Sequence, residues 1–294
     1  MFHGTITALV TPFKHGSIDE EAFRAHLERQ VAAGVDGVVP AGTTGEAATL
    51  SFEEHKQVIR IAVEQVAGRV PVIAGTGSNN TAESIELTAA AKALGADAAL
   101  LISPYYNKPT QDGIYHHYKA VADAVHLPQI IYNVPGRTNS NILPATVGRL
   151  AAVSNIVGIK DATANMEQLV QSMAACDGQM EFYSGDDATV MPFMALGGHG
   201  VISVIANIAP AQMLALTQAM ESGDFAAART AQFAMQALNR LLFVEANPIP
   251  VKAACHMLGW MGAELRLPLL PLAGDARAQL AAAMQEAGLE LANR

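Results

Sequence analysis

Positive charge is scarce in this sequence. Its 18 Lys and Arg are outnumbered by 27 Asp and Glu, leaving a net charge of −9 over 294 residues. Nucleic acid needs a basic footprint, so that class of partner is not expected. An anionic substrate would have to be drawn in by local Arg, Lys or helix N-termini rather than by the global field. Cysteine is scarcer still: Cys176 and Cys255 are the only two. They are too few for a disulfide framework and lack metal-ligand spacing, so a reducing cytoplasm is the simplest home. No apolar run reaches the ~18 residues of a membrane span, and the N-terminus has no basic region followed by an apolar one. Neither a membrane nor an export signal is expected. With only 15% charged residues, the 51% that are hydrophobic fill a large core easily.

What is present alternates. Short apolar, β-rich runs occur near Thr5–Val10, Gly37–Pro40, Val70–Ala74, Ala98–Ile102, Gln129–Tyr132, Ile156–Ile159, Glu181–Tyr183 and Val201–Val204. Amphipathic segments separate them, among them Glu20–Ala33, Phe52–Val66, Ala82–Leu94 and Gly113–Ala124. Ser17-x-x-Glu20, Ser51-x-x-Glu54 and Asn80-x-x-Glu83 fit a capping box or its relative, and Gly34, Gly95 and Gly197 stand where helices should stop. Strand–helix alternation implies a parallel sheet, and eight such units imply an α/β fold closed as a (β/α)8 TIM barrel. After about Pro210 the strand signals cease. Helices are expected over Ala211–Ser222, Phe225–Phe243, Pro250–Leu258 and Asp275–Ala287, with Pro268–Leu272 as a connector. The expected division is a catalytic barrel over 1–224 and a C-terminal helical extension over 225–294. The Met and Leu of 211–243 recur at helical spacing and read as core or a subunit interface.

One lysine stands out. Ile156, Val157 and Ile159 read as a strand buried on both faces, and Lys160 ends that run. A free lysine, with a pKa of about 10.4, is an unprotonated nucleophile in roughly one of a few thousand molecules at pH 7. Desolvation at a buried position lowers that pKa and readies the amine to attack a carbonyl. A strand-end lysine snorkelling to solvent fits the same position. The other six lysines lie in turn-like or helical, charge-bearing contexts.

Barrel chemistry is built at the carboxyl ends of the strands. After the second run comes Gly42-Thr43-Thr44-Gly45-Glu46, whose hydroxyls and closely spaced N–H groups suit a carboxylate. Tyr105 and Tyr106 follow the fourth run. Tyr132 and Arg137 follow the fifth, and Ser184-Gly185-Asp186-Asp187 the seventh. Other features read as structural. Gly75-Thr76-Gly77 lacks the third glycine of a dinucleotide fingerprint. His116 and His117 read as solvated helix surface. No His, Cys, Asp or Glu cluster has metal spacing, Asp186 and Asp187 being the weakest part of that exclusion.

Gly42-Thr-Thr-Gly-Glu46, Tyr132-Asn-Val-Pro135, Gly158-Ile-Lys-Asp161 and Asn247-Pro-Ile-Pro-Val-Lys252 together resemble the dihydrodipicolinate (4-hydroxy-tetrahydrodipicolinate) synthase family, from the first strand through the C-terminal helices. The resemblance implies a class I aldolase-type lyase, usually a homotetramer, in the diaminopimelate route of lysine biosynthesis. It implies that Lys160 forms a Schiff base with pyruvate, and that the resulting enamine attacks L-aspartate 4-semialdehyde to give (4S)-4-hydroxy-2,3,4,5-tetrahydrodipicolinate. No metal or organic cofactor is implied, the pyruvate being held covalently as an imine. Tyr132 would carry the proton, linked through Thr43 to Tyr106 of a neighbouring subunit. Thr44 would hold the pyruvate carboxylate, Arg137 that of the semialdehyde, and Gly185 and Ile202 would present backbone carbonyls. L-Lysine, as feedback inhibitor, would bind between subunits and away from the barrel mouth, at Ala48, His55, Asn79, Glu83 and Tyr105. Ala47 and Phe52 depart there from the serine and histidine common in the family. Two alternatives stand beside this reading. One is another pyruvate-dependent Schiff-base aldolase or lyase, of the N-acetylneuraminate or 2-oxo-sugar-acid type. The other is a non-catalytic barrel that only binds.

Overall fold

In the computed structural model, which describes residues 1–292, the eight apolar runs form parallel strands. They are β1 (Gly4–Ala8), β2 (Gly37–Val39), β3 (Ile73–Gly75), β4 (Ala98–Ile102), β5 (Gln129–Asn133), β6 (Ile156–Asp161), β7 (Glu181–Ser184) and β8 (Gly200–Ser203). Their hydrogen-bonded order is β2-β1-β8-β7-β6-β5-β4-β3. The ends of that order meet at a parallel bridge between Val38 and Val72. There Val38 N–H donates to the Pro71 carbonyl and Gly75 N–H to the Pro40 carbonyl, each at 3.0 Å. Parallel neighbours need crossovers, and helices supply them: α1 (Glu20–Ala33), α2 (Phe52–Val66), α3 (Thr81–Leu94), α4 (Gln111–Ala124), α5 (Pro144–Ala151), α6 (Met166–Cys176), α7 (Val190–Ala195) and α8 (Pro210–Glu221). The expected (β/α)8 barrel is what forms. Helices α9 (Phe225–Ala234), α10 (Gln236–Leu241), α11 (Ile249–Met257) and α12 (Gly274–Glu286) follow it.

Apolar side chains occupy both faces of the strands, as the unbroken runs require. Ile6, Val39, Ile73, Leu100, Ile130 and Ile202 fill the barrel with Tyr132 and Tyr183. On the outside, Val201, Met213 and Leu216 share one cluster with Leu238, Leu241, Val251, Leu280 and Met284, so the C-terminal helices pack on the β8–α8 side. The helical Met and Leu of 211–243 are accordingly core.

Several expectations need correction. The third strand begins at Ile73 rather than Val70, because Pro71 has no N–H to give a ladder. β6 runs further than expected, to Asp161, one residue past Lys160, which lies at its carboxyl end. Ser17 does not cap α1: it pairs in a two-residue ribbon with Phe13–Lys14, and Asp19 is the cap, accepting from Ala22 N–H at 3.1 Å. The helix read over Phe225–Phe243 breaks at Met235. Its halves serve different neighbours, α9 packing on α7 and α8 while α10 packs on α12. His117 is buried, its Nδ1 hydrogen-bonded with the Thr81 hydroxyl at 2.9 Å, whereas His116 is exposed.

Candidate active site

Parallel register sets the geometry at the barrel mouth. Tyr132 on β5 stands beside Lys160 on β6, which stands beside Tyr183 on β7. Lys160 Nζ lies 4.4 Å from the Tyr132 ring centroid, and both side chains are buried. Burial lowers the Lys160 pKa to about 8, the Asp187 carboxylate opposing the shift and the Arg137 cation adding to it. Burial pushes the Tyr132 phenol up to about 12, opposed by Arg137 and by a hydrogen bond with Thr43. The segment after β7 is shaped around the lysine. A Cβ on Gly185 would sit 2.9 Å from Lys160 Cε and 2.7 Å from Ala162 Cβ, so only glycine fits. The Gly185 N–H donates to the Asp161 carbonyl at 2.7 Å.

The Gly42–Glu46 turn faces this lysine. It closes on itself through Gly45 N–H to the Gly42 carbonyl at 3.0 Å and Glu46 N–H to the Thr43 carbonyl at 3.1 Å. Thr44 is buried, and its Oγ1 accepts from Asn247 Nδ2 at 2.9 Å. Arg137, on the one-turn helix Pro135–Thr138, reaches over the mouth and donates from Nη2 to the Asn247 carbonyl at 3.3 Å. These groups line one cavity of about 980 Å³.

Not every expected residue joins it. Ile202 is buried inside the barrel and does not line the cavity. Tyr106 is 89% exposed and lies outside the cavity, so within one chain the relay ends at Thr43. Of the residues expected to hold lysine, Ala48, His55, Glu83 and Tyr105 line the cavity, together with Ala47 and Phe52. Asn79 does not line it, and its Nδ2 donates to the Tyr105 carbonyl at 3.1 Å. Within this one chain the residues of the two expected sites line one continuous cavity. Contact between them is close. His55 Nε2 lies 2.6 Å from the Gly75 carbonyl, and a Cβ on Gly75 would meet the Ala41 carbonyl oxygen at 2.4 Å. Glu83 accepts from Ser78 Oγ at 2.7 Å and from Asn80 Nδ2 at 3.2 Å.

Three further groups at the site carry little local signal in the sequence. Asn247 stands there only inside a motif. Asp187 has no role in the sequence beyond its place after the seventh run and among metal candidates. It is buried, and its Oδ2 accepts from Val204 and Ile205 N–H at 2.9 and 3.0 Å. Lys252 reads from the sequence as one of the charge-bearing lysines, yet it is fully buried and bonded to Glu46. Its flanks, Ile249, Val251, Ala253 and Ala254, carried that signal. Among the described residues, no group of three or more His, Cys, Asp or Glu gathers as a metal site.

Known proteins match this chain along its length. The model of the dihydrodipicolinate synthetase family matches residues 1–287. A 4-hydroxy-tetrahydrodipicolinate synthase of Geotalea uraniireducens (strain Rf4) is 54% identical over 289 residues, covering 98% of this chain and 100% of the relative. The chloride-inhibited dihydrodipicolinate synthase from Acinetobacter baumannii, solved with pyruvate, is 49% identical with a TM-score of 0.97 over 99% of this chain and 100% of that one. The synthase from Cyanidioschyzon merolae, solved with lysine bound, is 41% identical with a TM-score of 0.95 over 98% and 99%. By this whole-length agreement in sequence and structure, the chain belongs to the dihydrodipicolinate synthetase family.

Proposed function

We infer that this chain is a lyase condensing pyruvate with L-aspartate 4-semialdehyde to (4S)-4-hydroxy-2,3,4,5-tetrahydrodipicolinate, in the diaminopimelate route to lysine. The observation that carries the reading is the buried Lys160, its pKa lowered to about 8, against Tyr132. At that pKa about one amine in ten is free at pH 7, far more than for a solvated lysine. The Lys160 amine adds to the pyruvate ketone, and loss of water leaves a protonated imine. This imine is the electron sink, so a methyl proton leaves to give the enamine. The enamine carbon attacks the aldehyde. The substrate's own amino group then displaces Lys160 by transimination, closing the ring and freeing the amine.

The roles follow from position. Tyr132, hydrogen-bonded with Thr43, moves protons at the imine nitrogen and the carbinol that precedes it. Thr44 and the adjoining N–H groups receive the pyruvate carboxylate. Arg137, exposed over the mouth, pairs with the second carboxylate, for which its planar fork is suited. This pairing favours the synthase over aldolases acting on other aldehydes. Gly185 contributes backbone to the site. The chain acts in the cytoplasm as a homotetramer, with Tyr106 completing a neighbour's relay. Residues 1–224 are the catalytic unit and 225–294 a helical extension. The chemistry needs no metal or organic cofactor, the lysine itself supplying the sink. Lysine, the end product, inhibits weakly through Ala48, His55, Glu83 and Tyr105, which share a cavity, with Asn79 bonded behind them to the Tyr105 carbonyl, a reading supported by the lysine-bound relative.

The test is covalent trapping. Pyruvate with borohydride should leave a reduced adduct on Lys160, located by peptide mass spectrometry, and Lys160→Ala should abolish it. An adduct on another lysine would sink the assignment.

A further inference from the structure

The ion pair between Lys252 and Glu46 takes part in no step of the reaction above, yet its side chains are 0% and 1% exposed. Lys252 Nζ donates to Glu46 Oε1 at 2.6 Å and lies 4.3 Å over the Phe13 ring centroid. The second oxygen, Glu46 Oε2, accepts the Arg266 backbone N–H at 3.1 Å. Glu46 closes the Gly42–Glu46 turn in the left-handed region, at φ 56°, where a residue with a side chain is strained and must be held. A second tie comes from the same C-terminal segment, where Asn247 Nδ2 donates to Thr44 Oγ1. Residues 247–252 therefore grip the turn at Thr44 and at Glu46, on either side of Gly45. Thr43, next in the turn, bonds with Tyr132.

We propose that Glu46 and Lys252 are positioning residues for pyruvate, their buried ion pair locking the Thr43–Thr44 turn in the geometry that receives the substrate carboxylate. The inference rests on the pyruvate reading. A turn containing Gly42 and Gly45 has many conformers when free, and fixing one before the substrate arrives removes an ordering cost from binding. Stability alone gives little reason to bury two charges, because desolvation offsets their attraction and an apolar pair of similar volume serves as well. Geometry is a better reason. A carboxylate fixed by two donors from separate chain segments, Lys252 Nζ and the Arg266 N–H, with Asn247 tying Thr44 beside it, leaves the turn one geometry. The helical extension thereby becomes part of the substrate site, although no residue of 248–252 touches the reacting atoms.

Either single change, Glu46→Gln or Lys252→Met, strands or vacates half of a buried pair and endangers the fold. The informative protein is the double variant, in which Gln still accepts the Arg266 N–H and Met fills the volume of the lysine stem. Circular dichroism establishes folding, and borohydride trapping on Lys160 is then titrated with pyruvate in parent and variant. We expect a melting temperature within a few degrees of the parent, half-saturating pyruvate raised about tenfold, and a semialdehyde KM nearly unchanged. A pair serving only the fold would leave the pyruvate dependence where it was. A folded variant with the parental titration overturns the proposal. An unfolded one does too, because the pair then holds the barrel rather than the turn. Absence of trapping in the parent would instead refute the pyruvate reading, so the two failures are told apart.

Discussion

At Lys160 three influences act on one amine. Burial lowers its pKa to about 8, Asp187 pulls it up, and Arg137 pushes it down. The nucleophile is the deprotonated form, which accumulates as pH rises through the pKa. The rate of pyruvate imine formation should therefore climb nearly tenfold per pH unit below about 8 and level off above it. Rapid-quench borohydride trapping across pH 6–10 reads this directly, and a rate still climbing at pH 10 would mean an unperturbed lysine. Arg137→Ala removes a lowering influence, so its plateau should begin at higher pH. Legibility differs sharply between the two buried lysines. Lys160 was visible because a charge interrupted a β-branched run, where solvent is remote. Lys252 was missed because a helical lysine ordinarily turns outward, and its partner Glu46 lies 206 positions away, a distance no local pattern spans.

At the scale of elements, periodicity located all eight strands, and the misses fall where local rules were overridden. Ser17 satisfied the capping spacing, but pairing with Lys14 captured it and left Asp19 one residue from the helix start. The break at Met235 has no Gly or Pro to announce it, because it follows from two neighbours pulling the chain apart. Where a local signal and the tertiary contacts agree, the element was read correctly. Ser51 Oγ accepts from Glu54 N–H at 3.3 Å, and Ser51 N–H donates to Glu54 Oε2 at 2.9 Å. Glu54 also takes Arg266 Nη1 at 2.8 Å. Ser51→Ala should cost about 1 kcal/mol, a fall in melting temperature of about 2 °C. Glu54→Ala should cost more, since it loses both the box and the arginine. Arg266 holds the Glu54 pKa down to about 2. A depressed carboxylate stabilises the fold above its unfolded pKa and loses that contribution as pH falls. The extra cost of Glu54→Ala over Ser51→Ala should thus be full at pH 7 and fade from about pH 4.5 toward pH 2. Melting curves at pH 7 and pH 3 that separate the two variants equally would contradict the role given to Arg266.

At the scale of the whole molecule, one aromatic residue is out of keeping with a lone chain. Tyr106 is 89% exposed and backbone-constrained at φ 73°, while its neighbour Tyr105 lines the cavity. In its own chain it lies outside the cavity lined by the Tyr132–Thr43 pair that it is proposed to extend. A proton relay needs hydrogen-bond reach, so the proposed role has Tyr106 enter the site of another copy. The sequence could name this residue by resemblance but could not give its position, because assembly is invisible to local patterning. Complementation separates the two arrangements. Tyr106→Phe should lose activity by about a hundredfold or more, the usual scale for removing a proton-transfer group, and Lys160→Ala should be inactive. In a hybrid of the two, the site holding the intact Lys160 sits in the Tyr106→Phe subunit and receives Tyr106 from the Lys160→Ala subunit. Random exchange within pairs makes half of them hybrids with one restored site each, so about a quarter of parental activity should return. Native mass spectrometry verifies exchange before the assay. Recovery to that level requires a tyrosine acting across subunits. Exchange without recovery would mean that Tyr106 acts in its own chain, and its loop would then have to fold inward before catalysis.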